Sequence, residues 1–158
     1  MKTYTILLAI VLFAIAAVAA DINGMWVAQI TSPSGSQSER IFTFRASGDN
    51  LTGTIINQSV ALATFEQKGK PKMTGTLKTQ TGIPQEISEG KVSGDDISFV
   101  IIGKMMGNEI RTIYTGKVSG NEIKFKAETK MPAGMTSPSG SPMQPQPPQE
   151  IVAKRAGR

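Results

Sequence analysis

The chain has 158 residues, no Cys, no His and a formal charge of +5. Without Cys there is no disulfide framework, thiolate nucleophile or zinc-thiolate centre, and without His the common general base and the commonest metal ligand are both gone. The length suits a single domain with its own core, and the modest positive charge serves solubility, so neither a nucleic-acid partner nor a cofactor is expected.

Met1-Lys2-Thr3 is followed by an apolar run from Ile6 to Val18 and by the small residues Ala17-Val18-Ala19-Ala20 before Asp21. That order predicts a signal peptide over residues 1–20, and the run is shorter than the ~18 to 20 residues a spanning helix needs. A secreted or periplasmic location follows, with no membrane span after cleavage. A secreted domain of this size without Cys points to a bacterial source.

From Asp21 the predicted elements are strands. Met25 to Thr31 alternates so that Trp26, Ala28 and Ile30 share a face, and Glu39 to Ala46 does the same with Phe42 and Phe44. The turn Ser47-Gly48-Asp49-Asn50 leads back into Leu51 to Ile55. Val60 to Glu66 and Met73 to Lys78 are expected as a further pair around Lys68-Gly69-Lys70-Pro71-Lys72, an inserted copy of the preceding hairpin. Glu89-Gly-Lys-Val-Ser-Gly-Asp-Asp-Ile-Ser-Phe99 then returns as Thr115-Gly-Lys-Val-Ser-Gly-Asn-Glu-Ile-Lys-Phe125, with another turn at Met106-Gly107-Asn108-Glu109 between the copies. Residues 131–149, rich in Pro, Ser, Gly and Gln, read as a long loop before a last strand ending at Arg155.

Two-residue loops at Gly94-Asp95 and Gly120-Asn121 set the register. Val92 then faces Ile97, Val118 faces Ile123, Gly116 faces Phe125, and Phe44 faces Gly53 in the early hairpin. A loop at Gly107-Asn108 puts Phe99 opposite Gly116 as well as Gly90, giving a row in which rings and glycines alternate. Such a row lets a sheet curl, because each ring lies over bare backbone. Ile97, Ile101, Tyr114, Val118, Ile123 and Ala127 take the same inner face, and Lys91, Ser98, Thr115, Lys117, Lys124 and Lys126 take the other. Val100, Ile102 and Ile113 break this rule and form an outer apolar patch. The fold expected over residues 21–155 is an antiparallel up-and-down β-barrel of eight to ten strands, with a β-sandwich as the alternative.

Gly24-Met25-Trp26 on the first strand resembles the Gly-x-Trp of the lipocalin and fatty-acid-binding (calycin) barrels, and the repeated Gly-Lys-Val-Ser-Gly pattern resembles that of uncharacterised secreted bacterial proteins. The resemblance implies a barrel closed by a basic residue near the Trp, for which Lys154 and Arg155 are placed. It implies no assigned activity.

The candidate lining of a binding site is Trp26, Phe42, Phe44, Phe99, Ile101, Tyr114, Phe125 and Arg155. Each has a structural reading beside the functional one: Trp26 plugs a barrel end under Arg155, and the Phe and Tyr side chains fill the core. The leading expectation is non-enzymatic binding of a small apolar molecule or lipid inside the barrel. A filled barrel acting as an envelope or extracellular protein-interaction module is the alternative. A hydrolase using carboxylates is a third reading, but Asp49, Asp95, Asp96, Glu109 and Glu122 fall in turns, and Glu66, Glu86 and Glu89 form no recognisable pair. Met131, Met135 and Met143 are possible soft ligands in a segment whose composition already accounts for them.

Overall fold

A computed structural model of the chain describes residues 21–32, 35–65, 73–105, 107–132 and 147–157. The predicted signal peptide, the lysine-rich loop and residues 133–146 of the Pro-rich segment lie outside the described residues. The described chain is all-β, without a helix: β1 (Gly24–Thr31), β2 (Gln37–Ser47), β3 (Asn50–Phe65), β4 (Met73–Ser93), β5 (Asp96–Met105), β6 (Asn108–Ser119), β7 (Glu122–Lys130) and β8 (Gln149–Arg155). Each strand pairs antiparallel with the next, and β8 returns to β1 to close an eight-stranded barrel. The period-2 alternation is the cause: along β7, Ile123, Phe125 and Ala127 are buried while Lys124 and Lys126 stand in solvent. One buried face per strand, repeated around a ring, leaves no edge where the ring is complete.

Three hairpins turn on a glycine as the first of two loop residues. Gly48, Gly94 and Gly120 have φ of 58°, 61° and 58°, and no other residue of these loops has positive φ, which is the type II′ arrangement. The predicted pairs Phe44 with Gly53, Val92 with Ile97, Val118 with Ile123 and Gly116 with Phe125 are all present.

The middle hairpin differs. Met105 pairs with Asn108, so Gly107 directly precedes the returning strand and is the second loop residue instead of the first. Pairing slips by two residues: Phe99 faces Tyr114, and Gly116 faces Ile97. A slip of two preserves the side-chain faces, since the period is two, and so the barrel stands although this part of the predicted row does not. The row also breaks on the other side of Phe99. Lys91 pairs with Ser98 and Ser88 with Val100, leaving Glu89 and Gly90 together opposite Phe99 in a β-bulge where Glu89 has φ 53°.

The expected extra pair is present, with Val60–Phe65 against Met73–Lys78, but as a continuation of its neighbours and not as a separate inserted copy. β3 runs unbroken to Phe65, and β4 from Met73 to Ser93. Opposite Ile56, β4 accommodates Gly82, Ile83 and Pro84, where Gly82 takes φ 84° and Ile83 is 86% exposed. Beyond this bend Ala61–Phe65 and Met73–Leu77 pair only with each other among the described residues, forming a two-stranded arm. β4 meets β5 only from Ile87 onward, so among the described residues no strand covers that edge of its stretch from Met73 to Glu86.

Candidate functional site in the barrel interior and at its two ends

The predicted lining residues come together, as a packed core. Trp26, Phe42, Phe44, Phe99, Ile101, Tyr114 and Phe125 are all at most 6% exposed and belong to one apolar cluster with Ile22, Leu51, Ile55, Ile97 and Ile123. Five rings meet across the axis. Phe42 stacks on Phe125 at a centroid distance of 4.9 Å, Phe99 on Tyr114 at 4.7 Å, and Phe44 packs on Phe99 at 5.5 Å. Tyr114 and Phe125 meet edge to face at 6.2 Å, the arrangement their quadrupoles favour. Phe125 also lies over Gly116: a Cβ there would sit 2.6 Å from ring Cδ1, so only glycine fits while the ring keeps its place.

One end is sealed. Ile22 and Trp26 are 1% and 0% exposed, and the indole Nε1–H donates to Ile22 O at 2.9 Å. Trp26 pairs with Arg155 across β1 and β8, and the guanidinium carbon stands 4.3 Å from the centre of the indole ring. Arg155 donates from Nη1 to Asn23 O at 2.7 Å and from Nη2 to Asp21 O. Its charge thus clamps the segment that precedes β1.

At the other end the inner face turns polar. Two positions along β2 from Phe42 and on the same face, Arg40 donates from Nε to Asn57 Oδ1 and from Nη1 to the Tyr114 hydroxyl, each at 2.9 Å. Thr112 and Thr129 share a hydrogen bond at 3.2 Å. Arg40, Thr112, Tyr114 and Thr129, with Ala127, Pro147 and Gln149, border a cleft of about 130 Å³. Burial pushes the Tyr114 phenol above its ordinary value, and the nearby Arg40 charge offsets part of that rise. Larger hollows, of about 380 and 580 Å³, are open depressions beside outward residues such as Lys117, Lys124 and Val152, or Thr43 and Thr52.

The outer face carries two features. Glu39 is 5% exposed although it points outward. It accepts from Gln29 Nε2 at 2.5 Å and from Lys78 Nζ at 2.7 Å, and the bond from Lys78 holds its carboxyl below the usual range. In the predicted outer patch Val100 is buried, Ile113 half-buried and Ile102 40% exposed.

Among the described residues no three carboxylates cluster as a metal site would require, and no helix is long and apolar enough to cross a membrane. Arg40 and Glu39, with Thr112, Thr129 and Gln149, are residues that sequence reasoning passed over. Arg40 had a signal, since it lies two residues before Phe42 and alternation places it inside. Glu39 had none, because its partner Lys78 is two strands away. Comparison with family models, with curated proteins and with solved structures finds no match for this chain.

Proposed function

We propose that this protein is a filled barrel acting through its outer surface, as a secreted bacterial envelope or extracellular protein-interaction module. The observation that carries the reading is the ring cluster on the axis. Phe42, Phe44, Phe99, Tyr114 and Phe125 occupy the space a lipid or apolar ligand would need, and the mouth cleft of about 130 Å³ is well below the few hundred Å³ typical of small-molecule pockets. The arm of β3 and β4 is the part of the described chain that barrel closure does not use, and its edge, which no described strand covers, offers backbone donors and acceptors to a partner. The pairing of Trp26 with Arg155 supports kinship with lipocalin-like secreted barrels, as the Gly-x-Trp strand suggested.

Native mass spectrometry of the protein from its own host tests this. A stoichiometric protein partner is expected, and it should be lost when residues 61–77 are replaced by an Asn-Gly turn joining Val60 to Lys78, which already pair in register. The shortened protein should keep its far-ultraviolet circular dichroism. A lipid co-purifying at one per chain would return the reading to a carrier, and a partner retained without the arm would move the interaction elsewhere on the barrel.

A further inference from the structure

We infer that the polar mouth of the barrel, built from Arg40, Tyr114, Thr112, Thr129 and Gln149, is a recognition site for a single carboxylate group. A guanidinium carries five N–H donors, and Arg40 uses one on Asn57 and one on the Tyr114 hydroxyl. The remaining N–H groups have no acceptor among the described residues, and no described carboxylate pairs with this cation. Tyr114 accepts from Arg40, which leaves its own O–H free to donate. Thr112 and Thr129 need one hydroxyl proton for their mutual bond, so the second is also free. The Gln149 amide, at the rim, can donate or accept. Unspent N–H groups of Arg40 thus stand beside the Tyr114 and threonine hydroxyl protons around one positive charge.

The floor beneath this cleft is apolar. Tyr114 is 5% exposed and its ring is stacked on Phe99, so the hydroxyl is held in one place. A fixed phenol beside a planar fork matches the two oxygens of a carboxylate, which accept in a plane and gain from charge-assisted bonds. The cleft is small, about 130 Å³, against the few hundred Å³ of a typical small-molecule pocket. That size suits a carboxylate on a short stem, with anything longer extending out of the cleft. The stem can belong to a small organic acid or to the C-terminal residue of a polypeptide, and the chemistry recognised is the same.

Titration with sodium acetate, followed by NMR of the arginine Nε–H signals and of ring-labelled tyrosine, tests the assignment. Saturable one-to-one binding is expected, moving Arg40 and Tyr114 together, with acetamide giving no response. Arg40→Gln should weaken acetate by about tenfold or more, the worth of a charge-assisted hydrogen bond. Tyr114→Phe keeps the ring stack and removes only the donor, so it should weaken binding by a smaller factor with the fold intact. If Arg40→Gln fails to fold, Arg40→Lys stands in: it retains the charge, loses the fork, and should still weaken binding. A tripeptide with a free C-terminus, compared with its amide, separates the two sources; preference for the tripeptide acid over acetate identifies a chain end, and the converse a small acid. Shifts that grow linearly without saturation, an equal response to acetamide, or undiminished binding in Arg40→Gln would overturn the site.

Discussion

Two arginines stand against aromatic side chains at opposite ends of this barrel, and their surroundings divide structure from recognition. Arg155 lies over Trp26 and spends its donors on the carbonyls of Asn23 and Asp21. It also pairs with the Asp21 carboxylate at 3.9 Å, whereas Arg40 reaches Tyr114 and Asn57 at the edge of a cleft and has no carboxylate partner among the described residues. A cation whose hydrogen bonds end on its own backbone holds the fold together. One with no carboxylate beside it, at the edge of a cleft, is poised for something that arrives from outside.

The largest effect expected at the sealed end is from Trp26→Ala. Removing a fully buried indole should cost about 3 to 5 kcal/mol in denaturant unfolding. A loss below about 1 kcal/mol would mean that the plug is ornamental and would dissolve the contrast.

Gly116→Ala should cost about 1 to 3 kcal/mol, because the new methyl meets the Phe125 ring. Phe125→Leu in the same chain should restore part of that loss, since the two sites share one contact. Simple additivity in the double-mutant cycle would show that the ring does not depend on the bare glycine.

The arginines themselves give the sharpest comparison. Arg155→Gln should lower stability by about 1 to 2 kcal/mol through the lost ring contact and carbonyl bonds. Arg40→Gln should cost less, about 0.5 to 1 kcal/mol, since the shorter amide can keep one of the two side-chain bonds and no ring contact is lost. The reverse order in thermal or denaturant unfolding would exchange the roles assigned to the two ends.

Smallest are the pH effects. The Tyr114 phenol is raised by burial, so as pH climbs past the ordinary phenol value near 10 the unfolded chain releases its proton first. Stability is therefore full below that point and falls from there up to the folded-state value. Because the Arg40 charge partly offsets burial, Arg40→Gln should move the Tyr114 titration higher still, as read by NMR of labelled tyrosine. Glu39 runs the other way: lowered chiefly by its bond from Lys78, it contributes above the ordinary carboxylate range, and the contribution is lost as pH falls through the depressed value. Lys78→Met should bring the Glu39 titration back up.

Local alternation and the three glycine-first turns determined the fold class, the strand faces and most of the hairpin registers, because a two-residue loop and a period of two leave little freedom. Phe44 with Gly53 and Gly116 with Phe125 were legible for that reason. The core membership of Trp26, Phe42, Phe99 and Tyr114 was legible too, and so was the inward face of Arg40. Only the tertiary structure decided the rest. A glycine in second place at the middle turn moved Phe99 from Gly116 onto Tyr114, and the bulge at Glu89 and Gly90 interrupted the row on its other side. The merging of predicted short strands into the arm of β3 and β4 depended on which strands found a neighbour, a question of barrel closure that no local window contains. Whether the rings would line a cavity or fill it turned on how eight strands set their spacing around one axis. The polar mouth arose in the same way, from residues on five different strands brought together at one end.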